Sequence, residues 1–340
     1  MLKPLERFEA IKTHHCISGS MCQIYKFNRH YISEDILLGI GSGVSYAYWQ
    51  FKGQPPFLGG RNLPKPSMEE LAGLRTGVKI KHHFTSSARK AEQSLLGMLR
   101  SGQPVMIMVD MGFLPYFDFG GIDYHFGGHS VVVCGYDDES QQYLIADRDG
   151  FHPVDKEILK KARNSEFKPF PPQNHWYSFD FEEKRVPSPN EVFQAIQEQS
   201  NSMLHPPISN LGIKGILKTA LMVPKWSEWM GADELRWALF NIYIFISTVG
   251  GSGGGAFRYM FSRFLREAAN ITSENRLVES AEEFQRIADK WEEIANWFRL
   301  ISEKSNPAAH LKECIEPLNR IAELEKLAWS KLNEIAQGSN

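Results

Sequence analysis

"GGHSVVVCGYDDESQQYLIADRDG", Gly127 to Gly150, is the stretch on which the fold turns. Two short apolar runs flank a polar turn at Asp137–Glu139, the pattern of an antiparallel hairpin. His129 stands at the mouth of the first run and Asp147 closes the second. With Tyr136 paired across the turn to Ser140, His129 falls directly opposite Asp147. Opposed side chains on one face lie about 4.5–5.5 Å apart at Cβ, close enough for a carboxylate to orient an imidazole. A one-residue slip would send the two to opposite faces. On its own, the hairpin is equally compatible with a structural hydrogen bond.

Upstream, "SARKAEQSLLGMLRSGQPVMIMVDM" predicts a helix, a glycine stop and the apolar strand Val105 to Val109. "HHCISGSMCQIYKFNRH" predicts a helix beginning at Cys16, with Met21, Ile24 and Tyr25 on its apolar face. "SEDILLGIGSGVSYAYWQF" is capped by Ser33, runs one or two helical turns and breaks at its glycines. Helices followed by antiparallel strands imply an α+β arrangement rather than a doubly wound parallel sheet. The proline-rich stretch "FKPFPPQNHWYSFDFEEKRVPSP" predicts a crossing segment or linker. Beyond it apolar residues recur at three and four, as at Phe284, Ile287, Trp291, Ile294 and Trp297, after a cap at Ser188 or Asn190. The expected division is an α+β domain over 1–180 and an all-α domain over 181–340.

Composition narrows the class. At 340 residues with 42% apolar residues and a formal charge of -2, the chain has no basic block to bind nucleic acid. The most apolar stretch, "LRWALFNIYIFISTVGG", holds Arg236 and Asn241 and falls short of a membrane span. No signal peptide is visible at the N-terminus, so a cytoplasmic, reduced setting is expected, without a membrane partner. The four cysteines lack CxxC spacing, and His14-His15 and His82-His83 are adjacent pairs, which on a strand point opposite ways. No metal or cofactor is expected.

A His–Asp pair needs something to act on, and Cys16 is the best-placed candidate. A thiol at a helix N-terminus beside an imidazole has a lowered pKa, and the helix end supplies N–H groups for a developing oxyanion. Cys16, His129 and Asp147 would then be nucleophile, base and orienter. Cys134 lies within an apolar strand, Cys22 further along the Cys16 helix and Cys314 in the far helical region.

These residues resemble the butirosin biosynthesis protein H family. The motifs are His15-Cys16, Ser33-Glu34 with Gly39-Ile40-Gly41-Ser42-Gly43, the opening hairpin, and "GGSGGGAFRYMFSRFLREAA" (Gly250 to Ala269) in the second half. The resemblance implies an N-terminal domain similar to papain-like cysteine peptidases that process bacteriocin leaders. It also implies Cys16, His129 and Asp147 as its catalytic residues. No Gln precedes Cys16 closely, so His14, His15 or a backbone N–H would have to donate to the oxyanion. The implied activity is acyl transfer in antibiotic biosynthesis, from an acyl-carrier-protein or other thioester, through Cys16, to a small-molecule amine.

Substrate contacts are expected from His15, Glu34, Gly128 and Arg258. Glu34 serves equally as a first-turn acid offsetting its helix dipole. Arg258 follows glycines that suggest an anion loop, though without a Walker ending they suit close helix approach better. The aromatic stripe Trp291, Trp297 and Phe298 suits either a core or a homodimer face. Two other classes stay open: a cysteine peptidase or amidase on the same triad, and a binding protein in which Cys16 is an ordinary buried thiol.

Overall fold

The computed structural model describes residues 2–51 and 54–338. In chain order the elements begin α1 (Cys16–Phe27), α2 (Glu34–Ile40), β1 (Val44–Trp49), β2 (Phe57–Arg61), α3 (Met68–Thr76) and β3 (Lys79–His83). Next come α4 (Ala88–Arg100), β4 (Val105–Val109), β5 (His129–Asp137), β6 (Gln142–Asp147), β7 (Gly150–Asp155), α5 (Lys156–Arg163) and β8 (Trp176–Asp180). The rest is helical: α6 (Pro189–Leu204), α7 (Gly212–Met222), α8 (Ala232–Ile246), α9 (Arg258–Thr272), α10 (Arg276–Ser302) and α11 (Ile315–Gly338). The α+β class with a helical C-terminal region is therefore the observed one.

The chain forms two compact units that do not follow a cut at 180/181. Residues up to Leu37 join Thr76–Val186, while Leu38–Arg75 joins the residues from Pro187 onward. The reason lies in the "GIGSG" segment, whose groups are satisfied by α6 and α9. Gly39 has no room for a Cβ against the Phe264 ring, and Ser42 Oγ donates to Glu198, which also holds Arg75 at 2.6 Å.

The first unit is built on a six-stranded antiparallel sheet of order β3-β8-β4-β5-β6-β7. One face, including Val105, Ile107, Val109, Val131, Val133 and Ile145, packs on Leu95 and Leu99 of α4 and Leu159 and Ala162 of α5. Helix α1 packs against β5, with Ile17, Met21 and Ile24 all buried. Burial of each such side chain contributes about 1.5–3 kcal/mol. The stretch expected to be a crossing segment contains β8, which lies inside the sheet between β3 and β4. Its alternation is short, and the prolines before and after it masked it as linker.

The hairpin forms in a different register from the one expected. Asp137 pairs with Gln142 and Tyr136 with Tyr143, so the turn is shifted relative to a Tyr136–Ser140 pairing. That register alone would place His129 and Asp147 on opposite faces. A β-bulge between Val133 and Gly135, at Cys134, restores the parity: beyond it Val132 pairs with Ala146. Asp147 then lies diagonal to His129 on the same face, within reach of a long side chain.

In the second unit the expected cap is Ser188, in a capping box with Glu191. Phe284, Ile287, Trp291 and Phe298 are buried, whereas Trp297 is half-buried. The glycines before α9 allow tight packing, since a Cβ on Gly255 would meet Ala288. Among the described residues no helix is long and apolar enough to cross a membrane.

Candidate functional site

Cys16 is the first residue of α1, capped by the His15 side chain, which accepts from Ser18 N. The lead-in is anchored from afar. Thr13 N donates to Arg148 O at 2.9 Å, and Arg148 Nη1 to His14 O at 3.2 Å. Arg148 follows Asp147, so the segment carrying the sulfur and the strand end carrying the carboxylate are tied together. Cys16 is half-buried, its Sγ 4.0 Å from Gly128 O.

His129 acts on the Cys16 thiol through its charge, and its Nε2 lies 2.7 Å from Asp147 Oδ2. With Nε2 spent on the carboxylate, Nδ1 is the ring nitrogen left for sulfur. Asp147 also accepts from Tyr116 Oη at 2.9 Å and from Arg148 N at 2.7 Å. Every bond to this carboxylate comes from a donor, which suits its charged form.

The electrostatics follow from these contacts. Burial would push the Cys16 thiol up. His129, the Ser130 N–H and the Arg148 charge outweigh it, and the pKa is lowered from 9.0. Burial would depress His129, but Asp147 raises it to about 9. Against its own burial, Asp147 is brought down to about 2, chiefly by His129. A depressed thiol beside a raised imidazole favours a thiolate–imidazolium pair near neutrality, titrating as a unit. By contrast, burial pushes Cys134 and Cys314 up to about 12. Cys22 is buried with its Sγ on Ile32 O.

Three of the expected substrate contacts are placed otherwise. The His15 ring is spent on Ser18, with Nδ1 3.0 Å from Ser18 Oγ. Glu34 accepts from the backbone N–H groups of His14 and His15 at 2.9 and 2.7 Å and from Ser18 Oγ at 3.2 Å. Both therefore clamp the start of α1. Arg258 lies in the second unit, fully buried, with Nε and Nη2 on Glu325 and Nη1 on Ser45 O and Ala256 O. Only Gly128 keeps its expected place beside the sulfur. A Cβ there would meet the Phe126 ring at 2.9 Å, so the ring would have to shift.

Burial raises Glu34 to about 7, against the backbone bonds that lower it. Between its ordinary 4.5 and about 7 the folded state holds a proton that the unfolded state has lost. Its contribution to stability thus falls as pH rises through that window. Glu34→Gln removes the titration. Relative to the native chain, urea unfolding of this variant gains on the order of 2 kcal/mol between pH 4.5 and pH 7.

Sequence reasoning missed Tyr116. It donates to the Asp147 oxygen that also holds His129, and its ring stacks on His152 at 3.8 Å. Phe117 stands edge-on to the His129 ring at 5.5 Å. The aromatic density of residues 113–126 is the signal that was there to be read. Tyr116→Phe leaves Asp147 a stronger acceptor for His129. The alkaline limb of any reaction needing protonated His129 then moves up by as much as about one pH unit, read from a pH–rate profile.

Elsewhere, a cavity of about 630 Å³ within the second unit is lined by Tyr48, Phe51, Lys218, Met222, Trp229 and Glu234 among others, a volume that suits a small molecule. Among the described residues no group of three or more metal-ligating side chains is present.

Comparison with known proteins yields two family matches. Residues 15–148 match the model described as butirosin biosynthesis protein H, N-terminal, and residues 157–332 match a domain of unknown function, DUF4872. No curated protein matches the chain. The first match spans Cys16, His129 and Asp147, and the second covers the helices. The chain belongs to the family of proteins that join a butirosin biosynthesis protein H N-terminal domain to a DUF4872 domain.

Proposed function

We propose that the protein is a cysteine-dependent acyltransferase of secondary-metabolite biosynthesis, acting in the cytoplasm, that moves an acyl group from a carrier-protein or other thioester to a small-molecule amine. The observation that carries this reading is the line Cys16–His129–Asp147, with the sulfur at a helix N-terminus and Asp147 2.7 Å behind the imidazole. The relation of helix cysteine to strand histidine supports the papain-like comparison, and the match to the butirosin biosynthesis protein H N-terminal domain supports the metabolic setting.

The chemistry balances without a cofactor. The Cys16 thiolate attacks the thioester carbonyl; a carbon–sulfur bond forms, the donor's breaks, and the leaving thiol takes the His129 proton. The amine then attacks the acyl-enzyme, gives its proton to His129 and expels the Cys16 thiolate. The oxyanion donors are the N–H groups of Cys16 and Ile17, which the first turn of α1 cannot satisfy itself. Of the expected donors, His14, His15 or a backbone N–H, this reading takes the backbone.

Intact-mass analysis with an acyl-pantetheine thioester tests the reading. The native chain gains one acyl group, Cys16→Ala gains none, and added amine discharges the adduct as amide. Discharge to free acid alone would assign the same residues to an amidase. Failure of any thioester to load would overturn the enzyme reading.

A further inference from the structure

The residues beside the sulfur carry a further feature, the density of rings around Gly128 and His129. Phe117 stands perpendicular to the His129 ring, and Phe119 stacks beside Phe117 at 5.9 Å and meets Tyr124 at 4.9 Å. The Phe126 ring abuts Gly128, whose carbonyl lies 4.0 Å from Cys16 Sγ, and Phe126 meets Phe170 edge-on at 5.5 Å. Phe117, Phe119 and Phe126 are only half-buried. Phe117 also packs against the sheet core, and all three rings keep surface that the core does not cover.

The segment that carries these rings is closed at its base by one buried carboxylate. Asp110 accepts from Gly112 N and Phe126 N at 3.0 Å each, pairs with His125 Nδ1 at 2.8 Å and accepts from Ser165 Oγ at 2.6 Å. Met111 N donates to Phe126 O across the same base. His125 is held further by its stack on Phe167 at 3.4 Å. The rings are thus presented on a fixed loop, and a ligand need not spend binding energy ordering it.

We infer that this aromatic rim is the acyl pocket and that it selects an aryl-bearing acyl group, an inference that rests on the acyltransferase reading. Edge-to-face neighbours leave ring faces and edges to receive another ring, an arrangement favoured beyond area burial alone. A straight alkyl chain gains the area without the ring geometry. The transfer step is unchanged: the aryl acyl carbon passes from the donor sulfur to Cys16 Sγ.

The test compares phenylacetyl-, octanoyl- and acetyl-pantetheine as acyl donors, reading Cys16 adducts by intact mass. Phenylacetyl loads roughly tenfold or more faster than acetyl, and faster than octanoyl. Phe119→Leu and, separately, Phe126→Leu bring the phenylacetyl-to-acetyl ratio toward one, and the ratio cancels any general loss of active protein. Equal loading of all three donors, octanoyl leading, or a ratio indifferent to both variants overturns the inference while leaving the transferase reading intact. No adduct from any donor overturns both.

Discussion

Asp147→Asn lowers the rate of Cys16 acylation at neutral pH by roughly 10²–10⁴-fold. The carboxylate accepts from His129, Tyr116 and the Arg148 N–H and donates to nothing. An asparagine keeps one acceptor oxygen and sets an amide N–H₂ against groups that are themselves donors. If that N–H₂ faces His129, the ring takes the tautomer with its proton on Nδ1, toward Cys16, and can no longer accept one from the thiol. The pKa consequences run the same way. Without the carboxylate, burial takes His129 down from about 9, and Cys16 loses the imidazolium that holds it below 9.0. Acylation rates from pH 5 to 10, alongside unfolding curves that confirm a folded chain, check this. A variant within threefold of native would remove Asp147 from the mechanism.

Glu325→Ala destabilises the second unit by about 3–5 kcal/mol, for a reason unconnected with chemistry. Arg258 and Glu325 are both fully buried, joined at 2.7 Å and 3.1 Å. Glu325 also accepts from the indole N–H groups of Trp291 and Trp329, each at 2.6 Å. Truncation strands a guanidinium and two indole donors where no water reaches, and each orphan adds its own desolvation cost. The melting temperature falls on the order of 10 °C. Replacing both charges, as Arg258→Met with Glu325→Met, recovers part of the loss, because no charge is left unpaired. A single variant as stable as native would contradict the assignment of Arg258 to structure.

That pair explains why Arg258 misled the sequence reading. Glycines followed by arginine look the same whether the guanidinium meets a ligand or a carboxylate 67 positions later. Glu34 misled in the same way, its value lying in backbone N–H groups that no side-chain pattern announces. What was legible was periodic or local: α1 beginning at Cys16, α4 and β4, the Ser188 cap, and the helical second half. The hairpin was legible but its register was not, because a bulge at Cys134 leaves no mark among valines. Two errors, a shifted turn and an unseen bulge, nearly offset, so His129 and Asp147 still share a face. Strand β8 was hidden by its prolines, and the loop bearing Tyr116 holds its partner only through tertiary structure.

The most direct test of Cys16 activation is the pH dependence of its alkylation by iodoacetamide, native against His129→Ala, with labelled peptides identified by mass. The native Cys16 titrates below the ordinary thiol value of 9.0, while His129→Ala shifts its midpoint up toward or beyond that value. A native midpoint at or above 9.0, unmoved by loss of His129, would show an inert thiol and contradict the account.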